Sequence, residues 1–114
     1  MIDIDRQRWD EFLVRHPDVH LLQTSAWGEL KASFGWSVSR LITQNTGVQI
    51  LFKKLFFGIT WAYIPKGPVG NSWNDLWPLV DQECRRKKAV FLKIEPDFWE
   101  VDRDLVSARL PSPK

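Results

Sequence analysis

The residues best placed to do chemistry sit in one stretch, residues 60–70, TWAYIPKGPVG. A β-branched and aromatic run from Ile59 to Ile64 reads as a strand. It turns abruptly into Pro65-Lys66-Gly67-Pro68. The two prolines fix φ and remove two N–H donors, and Gly67 allows a backbone conformation closed to other residues. A rigid turn that presents one lysine at a strand end suits an anionic ligand. It equally suits a plain strand-to-helix connection with a solvated lysine, and the residues alone leave both readings open.

Lys31 is the second candidate cation. It follows Trp27 by four residues, so the two share a helix face. A solvated helix lysine and an anion contact are both consistent with that spacing. Trp27 itself reads as a packing residue and Tyr63 as sheet core. Glu95 ends an apolar strand and has the chemistry of a general base, but a structural carboxylate is the plainer reading without a visible partner. His16 and His20 lie four apart, yet Pro17 between them precludes a regular helical metal pair. No carboxylate or cysteine set completes a site, so they read as surface loop residues and no metal is expected. There is no P-loop, dinucleotide glycine fingerprint or nucleophile–base constellation.

The elements that must carry these residues follow from the spacing of apolar positions. Residues 5–15 form a first helix, with Trp9, Phe12 and Leu13 on one face and Asp5 or Asp3 as its cap. Pro17 ends it. Leu21-Leu22-Gln23 reads as a short extended piece. Thr24 or Ser25 caps a helix over residues 26–34, with Trp27, Leu30 and Phe34 on one face and Gly35 as its stop. Residues 36–44 alternate as a strand, Asn45-Thr46-Gly47 is a turn, and residues 48–57 form the returning strand. With residues 59–64 this makes an antiparallel meander. Ser72 caps a helix from Trp73 to about Lys88, whose true start lies nearer Asp75 or Trp77 because Pro78 is tolerated best in a first turn. Leu76, Leu79, Val80 and Glu83 or Cys84 set its inner stripe. The basic run 85–88 complements the negative end of that helix's dipole. Residues 89–94 read as a buried, central strand, and residues 97–106 as a short helix.

Composition narrows the class. The chain has 114 residues, 44% hydrophobic and 26% charged, which is enough for one small globular domain. A net charge of +2 does not argue for a nucleic-acid partner. The single cysteine, Cys84, excludes an internal disulfide and fits a reducing compartment. The charged start is unlike a signal peptide, and no apolar run approaches a spanning helix, so the cytoplasm is the expected location. Seven tryptophans are many for this length, and some should line a groove or a docking surface.

Four pieces in order then carry a resemblance. They are Gln23-Thr24-Ser25-Ala26-Trp27-Gly28-Glu29-Leu30-Lys31, Gly35-Trp36, Tyr63-Ile64-Pro65-Lys66-Gly67-Pro68-Val69 and Lys93-Ile94-Glu95-Pro96. Together they resemble the FemABX aminoacyltransferases, the peptidoglycan bridge-forming proteins, over nearly the whole chain from Ile4 to about Trp99. The resemblance implies an α+β, GNAT-like partial domain, a mostly antiparallel sheet flanked by helices. Residues 1–100 would be the amino-terminal half of that domain, and 101–114 a frayed tail or truncation point. The implied reaction moves an amino acid from aminoacyl-tRNA, the co-substrate, to a stem-peptide amine of a nucleotide- or lipid-linked peptidoglycan precursor. The amine attacks an ester through a tetrahedral oxyanion, with no cofactor. By the same resemblance, Lys31 and Lys66 fall at basic positions that contact the precursor. Asn71 stands where the family often has an aspartate, so it offers hydrogen bonds without charge. Phe98 or Trp99 matches an aromatic of the precursor groove. The region that receives the tRNA end has no counterpart here. The chain is thus expected to contribute precursor binding, with a partner chain or further sequence completing the fold. The alternative is a non-catalytic GNAT-like module that binds a cell-wall precursor or a protein partner.

Overall fold

Asp5 starts the first helix by accepting a hydrogen bond from the Arg8 backbone N–H at 2.9 Å. That helix, α1, spans Arg6–Val14. In the computed structural model, which describes residues 4–70 and 73–96, the elements that follow are a 3₁₀ turn at Leu21–Gln23, α2 (Ser25–Ser33), β1 (Ser37–Ile42), β2 (Gly47–Lys54), β3 (Thr60–Pro65), α3 (Trp77–Arg86) and β4 (Ala89–Glu95). The Thr24 hydroxyl caps α2 by accepting from the Trp27 N–H at 3.3 Å. Pro78 sits in the first turn of α3, where its missing N–H costs nothing. The proposed cap Ser72, the aromatics Phe98 and Trp99, Asn71 and the helix expected over 97–106 all lie outside the described residues.

The four strands form one mixed sheet in the order β1-β2-β3-β4. The first three are an antiparallel meander, and β4 runs parallel to β3 after the α3 crossover. The arrangement is α+β. Strand alternation sends Leu41, Val48, Ile50, Phe52, Ala62 and Ile64 to one face, where Leu76, the N-cap of α3, and Val80 of α3 close the main core. Each fully buried aliphatic or aromatic side chain there contributes about 1.5–3 kcal/mol. The opposite face is covered over β1 and β2 by α1 and α2. A second cluster of Ile4, Trp9, Phe12 and Val69 holds α1 in place. No helix among the described residues is long and apolar enough to cross a membrane.

Four expectations are corrected. Residues 21–23 are a 3₁₀ turn rather than an extended piece, because His20 Nδ1 accepts the Leu22 N–H at 3.1 Å and curls the chain. On α2, Leu30 and Phe34 face outward, Phe34 being 72% exposed, and the buried positions are the small residues Ser25 and Gly28. Close approach to the sheet, rather than an apolar stripe, decides which side of α2 packs. Among the described residues β4 stands at the end of the sheet, with Val90 and Phe91 exposed, rather than between two strands. Tyr63 is only half-buried, because it points to the face away from α3.

One buried charge ties α3 to the sheet. Glu83 accepts from the Ser39 hydroxyl at 2.5 Å and from Arg86 at 3.0 and 2.6 Å. Burial alone would raise the Glu83 carboxyl, but these hydrogen bonds and the Arg86 charge outweigh it and hold it below the usual range. Its contribution is therefore fully present above the unfolded value of about 4.5 and is lost as pH falls through the folded one. Glu83→Gln should cost about 2 kcal/mol at neutral pH and flatten the acid limb. Urea unfolding at pH 7 and pH 3 checks this, and parallel acid limbs in parent and variant would refute it.

Candidate functional site

The site is built around a place where two strands part. β2 and β3 pair from Lys54↔Thr60 to Leu51↔Tyr63. Continuing that register sets Gln49 against Pro65, which has no N–H to give. The ladder stops there and closes again at Gly47↔Val69, through bonds of 2.9 and 2.8 Å. The side-chain amide of Gln23 fills the gap as a peptide group would. Its Oε1 accepts from the Gln49 N–H at 2.9 Å, and its Nε2 donates to the carbonyls of Gln49 at 3.1 Å and Pro65 at 2.9 Å. The chain of residues 65–68 wraps around that amide. A Cβ at Gly67 would meet Gln23 Cδ at 2.7 Å, so glycine is required there by space. The left-handed residue of the turn is Lys66, at φ 55, not Gly67 as expected from sequence. The Gly67–Pro68 peptide is cis.

From Gln23 a buried polar ladder runs outward. Trp9 Nε1 donates to the Gln23 carbonyl at 2.8 Å. Gln49 Nε2 donates to the Thr24 carbonyl at 2.9 Å, and Gln49 Oε1 accepts from Arg40 Nε at 2.9 Å. Arg40 reaches on to Glu29 of α2 at 3.2 Å. A Cβ at Gly28 would collide with Gln49 Oε1, which is why α2 can lie this close to the sheet. These contacts set the direction of α2 and hence the place of Lys31 at its far end.

Lys31 is not loose in solvent. Its Nζ lies 5.4 Å from the Trp27 ring centre and 5.3 Å from that of Trp36. Trp36 begins an aromatic strip across the sheet. Its ring meets Trp61 edge-on at 5.5 Å, and Trp61 contacts Tyr63 at 5.9 Å and stacks on Phe91 at 5.4 Å. Lys53 sits 5.3 Å from the Trp36 ring and Lys93 sits 5.7 Å from the Tyr63 ring. The strip therefore alternates flat apolar rings with ammonium groups, a chemistry suited to an anion attached to a ring or sugar. Lys66 lies beyond the other end of β3, five residues from Trp61, or roughly 16 Å along the strand. Among the described residues no carboxylate lies within ion-pairing distance of Lys66. Lys31 and Lys66 are thus not brought together; Lys31 lies against Trp36 at the start of the strip, and Lys66 follows the far end of β3. Asn71 and Trp99 fall outside the described residues.

The remaining candidates have structural roles. Glu95 accepts the Tyr63 hydroxyl at 2.6 Å. Burial first, then that hydrogen bond and the Glu95 charge, push the Tyr63 phenol well above its ordinary range, so Tyr63 acts as a neutral donor. His16 packs on Phe12 at 4.6 Å, and His20 caps the 3₁₀ turn. Cys84 is half-buried, and burial, with Asp81 and Glu83 nearby, pushes its thiol up to about 11, which leaves it a poor nucleophile. Sequence reasoning missed the clamp role of Gln23 and the partners of Arg40. A polar residue in an apolar-flanked piece opposite a proline was the available signal.

Two measurements test this geometry. Gln23→Ala leaves the Gln49 N–H and two carbonyls without partners and should destabilise the fold by about 3 kcal/mol. A loss under about 1 kcal/mol in urea unfolding would show that the clamp is dispensable. Tyr63 is the chain's only tyrosine, so its ionisation can be followed by absorbance. The midpoint should lie clearly above 10.0, and the Tyr63–Glu95 contribution to stability should fade as pH climbs through it. A midpoint at the ordinary value would rule the contact out.

Comparison with known proteins identifies the family. The model of the FemAB family matches residues 4–111. The lipid II:glycine glycyltransferase of Staphylococcus aureus is 33% identical over 111 residues, covering 88% of this chain and 26% of that protein. The same match recurs in strains NCTC 8325 and N315. The crystal structure of FemX superposes with a TM-score of 0.75 at 28% identity, covering 94% of this chain and 31% of FemX. The chain spans about a quarter of the length of the curated relatives it matches. With the family model matched across most of its length and these relatives beside it, the chain belongs to the FemAB family.

Proposed function

We propose that this chain forms the precursor-binding front of an aminoacyltransferase that builds peptidoglycan bridges. The observation that carries the reading is the Lys31 ammonium, held between Trp27 and Trp36 at one end of the aromatic strip on β3. An ammonium fixed beside half-buried rings suits a phosphate joined to a nucleotide or sugar. Lys66, beyond the other end of the same strand, suits a second anionic point on an elongated precursor. Asn71 and Trp99 complete the proposed precursor contacts.

In this reading the stem-peptide amine attacks the ester of an aminoacyl-tRNA. The nitrogen–carbonyl bond forms, the ester carbon–oxygen bond breaks, and the tRNA hydroxyl leaves. Rate comes from alignment of the two substrates. The donor-binding part belongs to sequence beyond the quarter spanned here, so this piece binds and orients the acceptor. The reading assigns the protein to the cytoplasm, where aminoacyl-tRNA is made, and requires no cofactor. GNAT-like topology is part of the same proposal.

Lys31→Ala should weaken binding of a nucleotide-linked muropeptide roughly tenfold, through loss of a charge-assisted contact. Stability should fall by no more than about 1 kcal/mol, since only exposed cation–π contacts are lost. Calorimetric titration of the 114-residue chain with that precursor decides it. Equal affinity in parent and variant would remove Lys31 from the site.

A further inference from the structure

The hairpin joining β2 to β3 carries Leu55-Phe56-Phe57-Gly58 at its tip. Ile59 N–H donates to the Phe56 carbonyl at 3.1 Å, and Phe57 and Gly58 have φ of 56 and 78, the two positive values of a type I′ turn. Asparagine, aspartate or glycine ordinarily fills the first of those positions. Here it is a phenylalanine that is 93% exposed, beside Phe56 at 65% and Leu55 at 42%. The Phe56 and Phe57 rings pack only edge-on against each other, 5.3 Å apart. Backbone conformation and solvation would both favour a small polar residue at this point.

Beside the tip lies a cleft of about 310 Å³, lined by Lys54, Gly58, Arg86, Lys87 and Lys88 among others, with no carboxylate in its lining. Thr60 holds the end of α3 against the hairpin base. Its N–H donates to the Lys88 carbonyl at 3.0 Å and its hydroxyl to the Lys87 carbonyl at 2.9 Å. Lys54, at the end of β2, and Lys88, just after α3, are exposed. The nearby Glu83 is buried and paired with Arg86.

We propose that this hairpin tip is an anchor for an anionic bilayer surface. Leu55, Phe56 and Phe57 enter the headgroup boundary, and the cations around the tip face the lipid phosphates. Short apolar insertions combined with basic residues are the chemistry of interfacial binding. The collar of cations, with no carboxylate among the described residues that line the cleft, selects an anionic lipid surface over a neutral one. This inference does not rest on the acyl-transfer reading, because vesicles free of precursor suffice to test it.

The test is flotation of the 114-residue chain with vesicles of phosphatidylglycerol mixed with phosphatidylcholine, and with phosphatidylcholine alone. Binding to the anionic vesicles should be roughly tenfold tighter than to neutral ones and should weaken with salt. The double variant Phe56→Ser/Phe57→Ser should lose roughly tenfold or more, and Lys54→Ala/Lys88→Ala should lose the preference for anionic lipid. All four side chains are exposed, so both variants should keep the parent melting temperature. Val14→Ser is the control: Val14 is 78% exposed on α1, whose Phe12 packs at the Gly47 end of β2, away from the hairpin. No binding to anionic vesicles, or equal binding by the Phe56/Phe57 variant, overturns the proposal. So does a dimer that dissociates in that variant without any vesicle binding, which would assign the tip to a second copy.

Discussion

The Gln23 side-chain amide stands in for a peptide group that β3 cannot provide. Pro65 has no N–H, so the β2–β3 ladder would end with the Gln49 backbone and the Pro65 carbonyl unpaired in the interior. One primary amide satisfies all three groups. Buried peptide groups without partners cost more than the bonds themselves return, so the position is tightly specified. Because Gln23 belongs to the 3₁₀ turn that leads into α2, the same bonds fix where α2 starts. Trp9 donates to the Gln23 carbonyl, and that draws α1 into the same arrangement. Three elements and the turn at 65–68 therefore share one origin.

From that origin the surface is divided unequally. Over β1 and β2 the outer face is closed by α1 and α2, with the Gln49–Arg40–Glu29 ladder beneath. Over β3 and β4 it carries the rings of Trp61, Tyr63 and Phe91, with lysines set against them. The seven tryptophans make sense in this light. Trp9 is a core residue, while Trp27, Trp36 and Trp61 shape a face that is only partly covered. The stretches that carry the family resemblance are also the ones that position this face. Gln23 and Gly67 meet at the clamp, Gly28 lets α2 approach, and Trp27, Lys31 and Trp36 form the cation site.

How far the chain was legible depended on the range of the physics. The helix starts, each narrowed to two capping candidates (Asp5 or Asp3, Thr24 or Ser25), the meander and the Pro78 position are set by interactions within a few residues, and the sequence shows them. The position of β4 at the end of the described sheet did not show. An apolar run looks the same in a central strand and in an edge strand whose outer face carries aromatics. The outward stripe of α2 misled for a related reason. Trp27, Leu30 and Phe34 have core-like spacing, yet the side that packs is chosen by how closely Gly28 and Ser25 can approach Gln49 and its neighbours. Lys31 and Lys66 could be named as cations but not placed relative to each other.

The sequence by itself determined the α+β class, the order of the described elements with their boundaries to within a few residues, and the family. These follow from local periodicity, turn chemistry and motif spacing, all of which act along the chain. Only the tertiary structure decided that Gln23 bridges Gln49 and Pro65, that Tyr63 serves Glu95 from a half-covered face, and that Lys31 is clasped by two indole rings. Apart from the Trp27–Lys31 contact, which the four-residue spacing already indicated, those outcomes join residues between 5 and 42 positions apart. Such partners are selected by burial and hydrogen-bond satisfaction in three dimensions, and no spacing rule along one chain encodes them.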